Sequence, residues 1–110
     1  MPYDVAMADR IRDHLTGTPG LTEKKMFGGV GFMVNGHMAA GAHSDGRLMV
    51  RAEKEQSVVY AAEPGAGLMQ RGGKGMKGWI LVDADSVVDD AELARWVDRG
   101  RDHARSMPPK

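Results

Sequence analysis

The sequence predicts an α+β two-layer sandwich, in which an antiparallel sheet carries its helices on one face. Three observations carry that expectation. Met26 to Met38, M-F-G-G-V-G-F-M-V-N-G-H-M, packs three glycines into four positions, runs on as an apolar stretch and meets Asn35-Gly36. Asn-Gly is the pair that a two-residue type I′ hairpin loop selects, because both central residues need positive φ. Four β-prone segments crowd together between Glu23 and Ala52, as in an antiparallel meander. Helical periodicity brackets them: Met7, Ala8, Ile11 and Leu15 on one side, Leu93, Trp96, Val97, Gly100, Ala104 and Met107 on the other. A sheet whose strands alternate and helices with one apolar stripe each satisfy one another in two layers.

The elements follow in order. Asp4 to Leu15 is the first helix, stopped by Thr16-Gly17-Thr18-Pro19-Gly20. Glu23 to Phe27 is a strand entering a bend or bulge at Gly28, Gly29 and Gly31. Val30 to Val34 pairs with His37 to His43 across Asn35-Gly36, and Ser44-Asp45-Gly46 turns the chain into a strand over Arg47 to Ala52. A second helix spans Glu53 to Ala62 and stops at Glu63-Pro64-Gly65. Leu68 and Met69 open a short strand before a basic glycine-rich loop, Arg71 to Gly78. Gly78 to Asp83, apolar on both faces, reads as a central strand. In the last helix Asp89 and Glu92 have capping-box spacing. Its outer face offers Glu92–Arg95, Asp98–Arg101 and Asp102–Arg105 as i,i+3 pairs, and Pro108-Pro109 ends it.

Composition bounds the function. A chain of 110 residues reads as one domain, 1–110. With no cysteine there is no disulfide, thiolate metal site or cysteine nucleophile. The early acids rule out a signal peptide, and no run approaches the ~20 apolar residues of a membrane span, so a cytoplasmic protein is expected. Fifteen basic side chains balance fifteen acidic ones, which disfavours a dedicated nucleic-acid binder. The charges are unevenly placed: Arg71, Lys74 and Lys77 share a stretch without acids, and Asp83 to Glu92 holds five acids without a base.

Candidate chemistries reduce mostly to structure. Gly28-Gly29-x-Gly31 lacks the following helix that a phosphate-binding loop needs. His37 and His43 are evenly spaced on one strand, but no third ligand accompanies them. The acids before the last helix lack the spacing of a calcium loop and serve as caps. No nucleophile, base and orienting group assemble, so no catalytic residue, metal or cofactor is assigned. Arg71, Lys74 and Lys77 are the candidate partner-binding residues, meeting an acidic partner or a nucleic-acid backbone; a weak nucleic-acid contact module through this loop, or a small-molecule-binding protein, is the alternative to a protein-contact domain. Of nine methionines, those in strands are core filler where they point inward; any that point outward make an adaptable patch for a partner or for self-association.

K-M-F-G-G-V-G-F-M-V-N-G-H-M, D-G-R-L-M-V-R, E-P-G-A-G-L-M, M-K-G-W-I-L-V-D and the closing S-M-P-P-K together resemble the TfoX N-terminal domain family. The resemblance runs from Tyr3 to Lys110. It implies an α-β-β-β-α-β-β-α fold like that of secretion chaperones. It implies no catalytic residues. It further implies a bacterial regulatory or adaptor domain acting through protein contact, since the family's namesake controls natural competence together with a transcription factor. Phe27, Gly28, Gly29, Gly31, Asn35, Gly36 and Trp79 fall on the motif and are expected to be structural.

Overall fold

Residues 4–26 and 28–109 are described by a computed structural model of the chain. Helix α1 (Val5–Leu15) is followed by strands β1 (Leu21–Met26), β2 (Gly29–Val34), β3 (His37–Ala42) and β4 (Leu48–Arg51). Helix α2 (Lys54–Ala61), strands β5 (Ala66–Arg71) and β6 (Lys74–Val82), a 3₁₀ turn (Ala84–Val87) and helix α3 (Asp90–Ser106) complete it. The six strands form one antiparallel sheet in the order β1-β2-β3-β4-β6-β5. The α+β reading holds, with four strands in the first run.

Helices α1 and α3 turn apolar stripes to the same sheet face. Met7, Ala8, Ile11 and Leu15 of α1 and Leu93, Trp96 and Val97 of α3 share one core with Val30, Phe32, Ala40, Ala42, Leu48, Val50, Ile80 and Val82. Helix α2 joins through Tyr60, whose ring stands edge-on to Trp96 at 6.2 Å. Asp4 caps α1 and Asp89 caps α3, each accepting from main-chain amides of the first turn. Of the three i,i+3 pairs expected on α3, Glu92–Arg95 and Asp98–Arg101 close at 2.9 and 2.8 Å, whereas Asp102 and Arg105 form no ion pair among the described residues. Arg95 and Arg99 both reach Glu63 at the end of α2 (2.9 and 2.8 Å) and clamp the two helices together.

Three backbone details shape the sheet. Asn35 (φ 54°) and Gly36 (φ 85°) form the expected hairpin loop between β2 and β3. The bulge expected at the β2 glycines is absent, because β1 and β2 pair in unbroken register from Leu21↔Val34 to Met26↔Gly29. Gly28 (φ 78°) is the turn residue, and Gly29 and Gly31 are ordinary strand positions; Phe27 lies outside the described residues. The bulge falls instead on β3, where the register slips between Phe32↔Ala40 and Met33↔Met38. The extra residue there, Ala39, turns inward beside Ala40, packing with Val34 and Ala104. One residue of slippage reverses the parity of a strand. His37 therefore lies on the helix side, 2.7 Å from the Pro108 carbonyl, and His43 on the other, so the expected shared face is lost.

The stretch read as a basic glycine-rich loop is a β-hairpin. Gly72 (φ 59°) and Gly73 (φ 82°) make its two-residue turn, and Arg71↔Lys74, Gln70↔Gly75 and Met69↔Met76 pair beside it. Two glycines with positive φ match the right-handed twist of the flanking strands, so the residues that suggested a loose connection are those of a tight one. Between Leu68↔Ile80 and Met69↔Met76 the register jumps, leaving Lys77, Gly78 and Trp79 unmatched on β6. Gly78 (φ 94°) absorbs the irregularity. Its amide donates to the buried Ser57 hydroxyl of α2 at 2.7 Å, and its carbonyl accepts from Ala52 N–H at 3.1 Å.

Four outcomes follow for stability. Ser57→Ala leaves the buried Gly78 amide unpaired and should cost about 1–3 kcal/mol in denaturant unfolding. Gly100→Ala drives a methyl into the main-chain carbonyl of Ala39, where α3 crosses β3 at close range, and should cost about 1–3 kcal/mol or more. The Glu63 and Asp45 carboxyls are raised by burial but lowered further by hydrogen bonds from Arg95 and Arg99, and from Arg47 and His43, so both lie below their ordinary values. Their contribution is complete above the ordinary carboxylate range and is lost as pH falls through the lowered values. Thermal midpoints should hold down to pH about 5 and drop steeply below about 4. Glu63→Gln should lower the neutral-pH midpoint and flatten that acid limb.

Candidate functional site on the open face of the sheet

The sheet face opposite the helices is built from alternate residues of the same strands. Gly31 pairs with Gly41 across β2 and β3, and Gly41 pairs with Met49 across β3 and β4. These glycines make a low floor. A side chain at Gly31 would meet the Met38 and Met26 methyls at 2.9 and 3.2 Å, and one at Gly41 would meet those of Met38 and Met49 at 3.1 Å. Flexible thioethers have thus folded into the space that the glycines leave. Met38, Met49 and Leu81 are buried here without any helix above them, packed by Met26, Met33, Met69 and Trp79. Each burial stabilises by roughly 1.5–3 kcal/mol, so this face is a small second core.

The β5–β6 hairpin forms one wall of a groove on this face. The groove has a volume of about 600 Å³; Met26, Gly29, Ala42, His43 and Met49 lie on one side, and Met69, Gln70, Arg71, Met76 and Trp79 on the other. A second hollow of about 280 Å³ shares Met26 and Trp79 with it and adds Met33, Met38, Arg51, His103 and Met107. Arg51 lines the smaller hollow. Its guanidinium lies 4.0 Å from the centre of the Trp79 ring, a cation–π stack.

Arg51 is electrostatically unusual for this chain. Arg10, Arg12, Arg47, Arg95, Arg99 and Arg101 each hold a carboxylate within 4.0 Å; Arg51, Arg71 and Arg105 hold none among the described residues, and of these three only Arg51 is half-buried. Its Nε is buried without a hydrogen-bond partner, and burial lowers its pKa from the ordinary value. A guanidinium so placed stays charged. Nearby His103 does not compensate: burial, then the Arg51 and His37 charges, push its imidazole below the ordinary value.

The expected partner-binding residues divide. Arg71 lines the groove, and Lys74, its cross-strand partner, stands exposed beside it. Lys77 is exposed in the irregular stretch of β6 and does not line the groove. Trp79 is a groove residue as well as a motif residue. Gly29, Gly31 and Gly41 act by lacking side chains, and Gly28, Asn35 and Gly36 by their turns. Sequence reasoning missed Arg51, which has no local signature. It also missed the hairpin, which Gly72-Gly73 between Met-Gln-Arg and Lys-Gly-Met could have disclosed. Among the described residues no group of three or more His, Asp or Glu is placed to hold a metal ion.

The family model of the TfoX N-terminal domain matches residues 13–104, from within α1 to within α3. No curated protein and no solved structure matches the chain. The match takes in all six strands, α2, the Ser57–Gly78 contact and every residue lining the larger groove. The chain belongs to the TfoX N-terminal domain family.

Proposed function

We propose that this chain is a regulatory adaptor domain that works by protein contact through the open face of its sheet, in transcriptional control of the competence type. The single observation that carries the reading is the methionine-lined groove of about 600 Å³, apolar and uncovered on a face that no helix occupies. Methionine side chains re-pack around differently shaped apolar groups, which suits recognition of a protein segment. Family membership supports a regulatory role. No helix among the described residues is long and apolar enough to cross a membrane. The proposed setting is the cytoplasm, where a regulator of transcription meets its partner.

The test compares affinity capture of a transcription-regulating protein by three forms of the domain, under nuclease treatment. Met69→Glu places a charge in the groove wall and should weaken capture about tenfold or more. Val59→Glu, on the exposed surface of α2, should leave capture unchanged. Equal capture by all three forms would remove the open face from the proposal.

A further inference from the structure

The structure assigns the open face a specific kind of occupant: an acidic segment of a partner protein that seats apolar side chains in the methionine groove and carboxylates on Arg51, Arg71 and Lys74. This inference rests on the proposed function and adds the chemistry of the partner. It comes from how the chain distributes a net charge of zero. Lys24, Arg51, Arg71 and Lys74 all belong to the open face, as the strand alternation with Met26, Met49, Met69 and Met76 requires. Among the described residues the only carboxylate in any strand is Glu23, which lies on the helix side and pairs with Arg12 at 2.6 Å. Asp45, in the turn beside the groove, is taken up by Arg47 at 2.7 Å and His43 at 2.9 Å. The acids lie elsewhere, chiefly on the helices and the Asp83 to Glu92 stretch. Arg71 thus lines the apolar groove, Lys74 stands exposed beside its wall and Arg51 lines the adjoining hollow, and none of the three has a carboxylate within 4.0 Å among the described residues.

Arg51 sharpens this into a site. A half-buried guanidinium with an unsatisfied Nε and no carboxylate partner costs stability as it stands, and a carboxylate beside it repays that cost. Two other occupants fit less well. A second copy docked face to face would set Arg51, Arg71 and Lys74 against their own counterparts. A single-stranded nucleic acid would want a free aromatic face for its bases, and the one aromatic ring on this face among the described residues, Trp79, is already covered by Arg51.

Calorimetric titration of the intact chain tests the assignment with a short peptide of alternating leucine, phenylalanine, aspartate and glutamate. Its companion carries asparagine and glutamine in place of the acids. The acidic peptide should bind at least about tenfold more tightly than the amide peptide. Raising salt should narrow that gap. Arg51→Gln should remove most of the acidic peptide's preference over the amide peptide, and in the unsubstituted chain amide chemical shifts should move at Met49, Met69 and Trp79 on peptide binding. Equal binding of the two peptides at those residues overturns the acidic assignment and leaves the open face as a protein-contact surface. Failure of both peptides overturns the assignment, as does a concentration-dependent dimer in light scattering that Arg51→Gln strengthens. Tighter binding of an oligothymidylate than of the acidic peptide overturns both this inference and the protein-contact reading.

Discussion

Three helices cannot cover both faces of a six-stranded sheet, and most of this chain's unusual composition answers that constraint. On the covered face the problem is ordinary: valines, isoleucine, leucines and alanines alternate inward and meet the stripes of α1 and α3. On the other face the chain has to limit the apolar surface left in water without adding a fourth helix. It does so by removing side chains at Gly29, Gly31 and Gly41 and laying the long thioethers of Met26, Met38 and Met49 across the gap. The result lies between a core and a surface, dry enough to bury Met38 and Met49 and open enough to leave a groove.

The groove depends on an element from the opposite layer. Its far wall is the β5–β6 hairpin, whose course relative to the rest of the sheet is set at the Lys77–Trp79 irregularity. Ser57 of α2 holds that irregularity by accepting from the Gly78 amide. Helix α2 is held in turn by Glu63, which Arg95 and Arg99 of α3 grip, with the Arg99 guanidinium 4.0 Å from the Tyr60 ring centre. A contact in the helical layer thus positions a wall on the open face. The groove's geometry is coupled to the packing of α2 on α3 through a short series of specific bonds.

Much of the fold was legible because its punctuation is local. Asn35-Gly36, the Asp89 cap and the spacing of Leu93, Trp96 and Val97 each act through backbone geometry or a single face, and each reads directly. What was not legible depends on register. Nothing in H-M-A-A-G-A announces that Ala39 bulges, yet that one residue sends His37 and His43 to opposite faces. The glycines of R-G-G-K-G suit a flexible loop and a tight hairpin equally, and only pairing with Met69 and Gln70 decides between them. The site was partly visible: Arg71 and Lys74 stood out by charge and the methionines by number. Arg51 did not, because its significance is an absent partner, and local sequence does not show which charges will go unpaired.

The placement of the two tryptophans has a spectroscopic consequence. Trp96 of α3 is enclosed in the core beside Tyr60, with the Arg99 guanidinium 4.6 Å from its ring centre, and Trp79 is half-buried at the junction of the two hollows with the Arg51 guanidinium on its face. Their indoles therefore sit in different dielectric and quenching environments. A change in emission confined to the Trp79 component reports on the groove alone, and a change in the Trp96 component reports on the core. The native chain carries separate optical probes for its two faces, and a single-tryptophan variant at each position suffices to assign them.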